Sequence, residues 1–203
     1  MNGFIVWCPG RCGSMLATNI LRAALYPEDQ TTFTGREYIK NTNSPIIHTH
    51  NLRMFIDSTA RRLMIVRDIF PAALSTMIAL RTGQYHVNSQ DESDQYAEEF
   101  GSSPMHINPI KFERYCRLYD RRFEEAMTSE AEFDKIHYEQ IEDDPFRLLR
   151  LLKIDKKLWK MKSLVTTNIT KKIPVPKDKQ VSNYQDLLDR FDRLELKHKR
   201  MIQ

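Results

Sequence analysis

Short runs that are apolar at every position alternate along this chain with longer stretches in which apolar residues recur every three or four positions. Phe4-Ile5-Val6-Trp7 has no polar face at all, the mark of a strand buried on both sides. Met15 to Leu25 then follows helical spacing. Pro45-Ile46-Ile47-His48-Thr49-His50 predicts a second strand after the polar Asn41–Ser44 turn. Arg61-Arg62-Leu63-Met64-Ile65-Val66-Arg67 predicts a third, apolar throughout its centre. Ile69 to Arg81 reads as a helix, with Pro71 tolerated in the first turn. Ile110 to Met127 is an amphipathic helix carrying Phe112, Tyr115, Leu118, Tyr119 and Phe123. Glu132 to Tyr138 is the fourth strand. A helix from about Asp144 to Leu152 and a charged final helix from Tyr184 to Met201 complete the pattern. Strand–helix alternation of this kind predicts a three-layer α/β/α domain around a mostly parallel central sheet. The expectation is one domain over residues 1–203. The polar stretch Gly83–Pro109 would form a lid or substrate loop.

Composition narrows the ligand rather than the fold. The formal charge of +4 is mild and lacks the dense basic clustering of a nucleic-acid track, so a small anion is the better fit. No apolar run reaches the length of a membrane span, and the N-terminal run is too short for a signal peptide, so a cytoplasmic protein is expected. Three cysteines (Cys8, Cys12, Cys116) make no disulfide framework. No histidine–cysteine group has zinc-ligand spacing, and no metal is expected. Reduced structural roles for Cys8 and Cys12 are favoured over a redox pair.

The segment between the first strand and the first helix carries the chemistry. Cys8-Pro9-Gly10-Arg11-Cys12-Gly13-Ser14 is a tight turn with two glycines that opens a helix. Glycines let backbone approach an anion, and the N–H groups of a helix N-terminus point at it. Arg11 adds a permanent positive charge. An ordinary βα turn is the plain alternative. A Walker A loop, G-x-x-x-x-G-K-[ST], is absent because Gly10 and Gly13 stand too close and no lysine follows Gly13. That disfavours an ATP-dependent kinase. A cysteine phosphatase loop needs an arginine six residues past the nucleophile, yet Ser14 stands six past Cys8 and Thr18 six past Cys12.

Pro9-Gly10-Arg11-Cys12-Gly13-Ser14 resembles the 5′-phosphosulfate loop of sulfotransferases, whose forms include P-K-S-G-T-T and G-R-S-G-S. A second stretch, Val66-Arg67-Asp68-Ile69-Phe70-Pro71-Ala72-Ala73-Leu74-Ser75, is similar to that family's V-R-D-P-F-x-x-x-x-S. A third, Tyr138-Glu139-Gln140-Ile141-Glu142-Asp143-Asp144-Pro145, resembles its Y-E-D-L-x-x-D-P. The resemblance spans about residues 4–152 in patches. It implies a P-loop NTPase-like sulfotransferase fold and 3′-phosphoadenosine 5′-phosphosulfate as the donor, with adenosine 3′,5′-bisphosphate as product. It also implies a cofactor site of Pro9, Gly10, Arg11, Cys12, Gly13, Ser14 and Met15 around the 5′-phosphosulfate. Arg67 and Ser75 would take the 3′-phosphate, and Tyr138 the adenine. Cys12 stands where the family has serine and Met15 where it commonly has threonine. The late R-K-G segment that closes over the 3′-phosphate is missing, so either Lys171, Lys172, Lys177 or Lys179 substitutes or that contact is absent.

Transfer to a hydroxyl or amine needs a base for the acceptor proton. His48-Thr49-His50 resembles the K-T-H strand end that holds the family's catalytic histidine, and its two histidines project to one side of a strand. Glu37, after Gly35-Arg36, matches the glutamate base of members with the G-R-S-G-S loop. His50 has the better local match. Arg11 would stabilise charge on the departing oxygen. The acceptor would be a small molecule or glycan hydroxyl. Other readings of the same residues are a nucleotide-dependent phosphotransferase with a degenerate loop and a catalytically inactive bisphosphate-binding member.

Overall fold

The computed structural model describes residues 3–25, 46–83, 95, 98–99, 102–157 and 176–200. Its strands are β1 (Phe4–Trp7), β2 (Ile46–Thr49), β3 (Arg61–Val66) and β4 (Asp134–His137). In chain order the helices are α1 (Ser14–Leu25), α2 (Leu52–Ile56), α3 (Ile69–Thr82), α4 (Pro109–Met127), α5 (Tyr138–Asp143), α6 (Phe146–Leu151), α7 (Lys177–Gln180) and α8 (Tyr184–Arg193). The chain groups into two compact units. One contains Met1–Arg67 and Glu125–Ile169 with Met201–Gln203; the other contains Asp68–Glu124 and Thr170–Arg200.

The first unit is built on a four-stranded, all-parallel sheet in the order β2-β1-β3-β4. Strand β1 lies in its middle, which is why Phe4, Ile5, Val6 and Trp7 are all buried. From β1 the chain steps outward to β2, then returns past β1 to β3 and on to β4. The reversal lies between β1 and β3, and open parallel sheets bind ligands at the carboxyl ends of the strands beside such a reversal. The α/β class and parallel sheet expected from the apolar runs are what the chain adopts.

Helix α2 was not foreseen from periodicity, because five residues cannot establish a period. Its start is nevertheless written in Asn51, whose Oδ1 accepts the Met54 N–H (3.2 Å). Phe55 buries fully and stacks on Trp7 with ring centroids 5.6 Å apart. Arg62 ties the end of α2 to the start of β3: Nε donates to Phe55 O (3.0 Å), and Nη2 donates to Ile56 O (2.9 Å) and Ser58 O. After β4, the expected single helix from Asp144 is instead two. Tyr138–Asp143 forms α5 behind a capping box between His137 and Gln140. Asp144 is then extended, as the residue before a proline prefers, and its carboxylate accepts the Phe146 N–H (3.0 Å) to start α6.

In the second unit α3 begins with Pro71 in its first turn and ends at Gly83, whose φ of 71° closes the helix. Phe70 sits edge-on to Phe112, Tyr184 and Phe191, with centroids 5.3–5.5 Å apart. Asn183 clamps the chain before α4: its Oδ1 accepts the Ile107 N–H (3.0 Å) and its Nδ2 donates to Ile107 O (2.8 Å). Met105 pairs with Gln180 and Ser182 backbone alongside. These contacts tie down the C-terminal end of the stretch expected as a lid, most of which lies outside the described residues.

The final helix is shorter than its charge pattern predicted. It stops at Leu194, which is extended, and residues 195–200 run without helix. Side chains of α4 hold that tail: Asp120 accepts the His198 N–H (2.7 Å), and Glu124 pairs with Lys197 and His198 (2.7 Å each). Tertiary contacts here overrode a good local helix propensity.

Candidate functional site

The turn between β1 and α1 has an unusual backbone. Gly10 has φ 138°, Arg11 φ 48° and Gly13 φ 83°. Positive-φ residues set among ordinary ones are what anion-binding nests are made of. The first helical bond of α1 runs from Ala17 N to Gly13 O (3.1 Å), so the N–H groups of Ser14, Met15 and Leu16 precede any intrahelical acceptor. The positive end of the helix dipole adds to them. Pro9, Cys12 and Ser14 are buried, while Gly10, Arg11, Gly13 and Met15 are half-buried.

Beneath the turn, four side chains from β1, α1 and the end of β2 converge. Ser14 Oγ lies 2.7 Å from His48 Nε2 and 3.2 Å from Cys8 Sγ. His50, exposed and one residue past β2, places Nδ1 2.9 Å from Cys8 O. A carbonyl can only accept, so Nδ1 carries the proton and the basic lone pair belongs to Nε2. The two imidazoles meet edge-on, centroids 4.6 Å apart. The pairing of β2 with β1, with Thr49 opposite Trp7, brings the histidines level with the loop.

Two thiols in the turn are pushed in opposite directions. Burial alone would raise the Cys8 thiol, but hydrogen bonds from Cys12, His48 and His50 hold it well below the ordinary thiol value. Burial and the neighbouring Cys8 push Cys12 well above that value. Cys12 is thus the protonated member, and it reaches Gly10 O at 3.0 Å.

Arg67, the residue after β3, comes to the same loop. Its Nη1 donates to Arg11 O (3.3 Å) and its Nε to Glu139 Oε1 (3.3 Å), while its guanidinium lies 4.4 Å over the Tyr138 ring. Tyr138 also packs on the turn. A Cβ added to Gly13 would fall 2.0 Å from Tyr138 Cδ2, so only glycine leaves room for the ring. The phenol donates to Glu142 (3.0 Å), and burial, then Glu142, pushes it up to about 12.

The residues singled out in the sequence thus divide. Pro9 to Met15, His50, Arg67 and Tyr138 share one end of the sheet in the first unit. Tyr138, expected at an adenine, lies against the loop itself. Ser75 is half-buried in α3 and belongs to the second unit. Glu37, Lys171 and Lys172 lie outside the described residues, and Lys177 and Lys179 fall in α7. Sequence reading missed the Ser14–His48 bond and the part played by Glu139. The six-residue spacing of Cys8 and Ser14 and the Tyr138-Glu139 pair after β4 were their only traces.

No family model matches this chain, and no curated protein matches it in sequence. Among solved structures, the crystal structure of a sulfotransferase from Alicyclobacillus acidocaldarius is similar. The match has 15% identity and a TM-score of 0.43, covering 94% of this chain and 91% of that one.

Proposed function

We propose that this protein is a sulfotransferase that takes 3′-phosphoadenosine 5′-phosphosulfate as donor and sulfonates a hydroxyl or amine of a small molecule or glycan. The observation that supports it most is the joining of two anion-binding elements at the reversal of the sheet. The positive-φ loop after β1 and the arginine after β3 are linked by the Arg67–Arg11 carbonyl bond. A ligand with anionic groups at two positions suits such a pair better than a single phosphate does.

The residues fit that donor class. The backbone of residues 10–15 and the Ser14 hydroxyl would hold the 5′-phosphosulfate, and Arg67 the 3′-phosphate. When bound, the donor supplies an activated sulfonate on a phosphate leaving group. Arg11 stabilises negative charge developing beside the loop, in a site where donors need no reorganisation. His50 serves as base through Nε2, since the Cys8 carbonyl fixes the proton on Nδ1. His48 holds Ser14 in place through its 2.7 Å bond.

Thermal-shift titration tests the donor. Adenosine 3′,5′-bisphosphate should raise the melting temperature and ATP–Mg²⁺ should not. The reverse pattern would indicate a phosphotransferase and remove this reading. With labelled donor and a panel of phenolic and sugar acceptors, His50→Ala should slow transfer by about 10²–10⁴-fold while leaving bisphosphate binding nearly intact. If Glu37→Ala shows that loss and His50→Ala does not, the base is Glu37.

A further inference from the structure

We infer that Glu139 is a specificity-determining counter-anion: it occupies the guanidinium of Arg67 until a phosphate monoester displaces it. The inference deepens the functional reading above and rests on it. Arg67 is engaged on three sides, by the Arg11 carbonyl, the Tyr138 ring and the Glu139 carboxylate. Of these, the carboxylate alone is an anion, so it alone competes with an incoming phosphate for charge.

Its hold is weak in a particular way. Arginine and carboxylate pair best through two parallel bonds, yet here one contact of 3.3 Å is made, from Nε to Oε1. The second oxygen, Oε2, is buried and has no hydrogen-bond partner among the described residues. A carboxylate oxygen deprived of both water and donor is costly to keep. Releasing Glu139 restores its hydration, and a dianionic phosphate offers Arg67 three oxygens in place of one. A singly charged diester or a neutral hydroxyl has less to give and leaves the pair standing. Arg67 is 19% exposed and the Glu139 side chain 36%, so the exchange takes place at a partly sheltered site, where charge differences count for more than in open water.

Glu139 would therefore raise the threshold for occupying the site. Ligands with a terminal phosphate near Arg67 pass it, and nucleotides phosphorylated only at the 5′ position gain nothing from it. Calorimetric titration of the full chain with adenosine 3′,5′-bisphosphate and with adenosine 5′-monophosphate tests this, using wild type, Glu139→Gln and Glu139→Asp. Removing a sheltered but one-sided pair should tighten bisphosphate binding in Glu139→Gln by roughly three- to tenfold. Monophosphate affinity should change less than twofold, and Glu139→Asp should stay near wild type. Equal tightening of both nucleotides would mean a general charge effect and overturn the inference. Weaker bisphosphate binding would make Glu139 a ligand contact and overturn it too. In both cases the bisphosphate still binds, and the functional reading stands. Failure of wild type and all variants to bind the bisphosphate would sink both together.

Discussion

Gly13→Ala should be disproportionately damaging for a change of one methyl group, and the structure separates two reasons for it. At φ 83° an L-residue meets its own carbonyl, a strain of about 1–2 kcal/mol. The new Cβ would also fall 2.0 Å from Tyr138 Cδ2 and 2.6 Å from Cε2. The ring has little room to retreat, because the Arg67 guanidinium lies 4.4 Å over it and Glu142 holds its hydroxyl. Overpacking of this kind costs typically about 1–3 kcal/mol. Together the terms come to about 2–5 kcal/mol, or a fall in melting temperature on the order of 10 °C for a chain of this size. Tyr138→Ala removes the clash but leaves the backbone strain, so a double-mutant cycle apportions them. In the Tyr138→Ala background, Gly13→Ala should cost about 1–2 kcal/mol, and the coupling should equal the overpacking part. Urea unfolding followed by tryptophan fluorescence reads all four proteins. A Gly13→Ala cost below about 1 kcal/mol, or the same cost in both backgrounds, would refute the packing of Tyr138 on the loop.

Further outcomes concern the thiols and the second unit. Cys8 ionises well below the unfolded thiol value of about 8.5, so its stabilisation is fully present above that value and is lost as pH falls through the folded one. The stability difference between wild type and Cys8→Ala should therefore grow from pH 6 to about pH 8.5, and a flat difference contradicts the thiolate. Cys12, shifted the other way, should show the opposite slope in Cys12→Ser, its contribution fading as pH rises above about 8.5. Asn183→Ala removes both bonds to the Ile107 backbone and should cost about 1.5–3 kcal/mol. Asn183→Asp keeps only the acceptor and should lie between. Amide exchange at Ile107 reports the loss directly, and unchanged protection there would argue against the clamp.

The sheet was legible because its strands have no polar face. Phe4-Ile5-Val6-Trp7 and Leu63-Met64-Ile65-Val66 can satisfy burial only as interior strands of a parallel sheet, and both are fully enclosed. The loop was legible for a related reason: glycine is favoured where backbone takes positive φ, and Gly10 and Gly13 both do, on either side of Arg11 at φ 48°. Short helices were not legible. Leu52–Ile56 and Tyr138–Asp143 are too brief to show a period, and their caps, Asn51 and the His137–Gln140 box, are weak signals on their own. The final helix failed in the opposite sense, its pattern continuing past the point where Asp120 and Glu124 of α4 capture the tail.

By itself the sequence determined what is local: which segments are strands, where the chain must turn, and which residue types stand at the strand ends. What surrounds each group was decided by the tertiary structure alone. Cys8 and His50 are 42 positions apart, Ser14 and His48 are 34, and Arg67 and Glu139 are 72. No spacing rule reaches that far, because such neighbours are set by strand order and register. Ionisation and ion pairing follow from those neighbours and from burial, and neither exists until the sheet has formed.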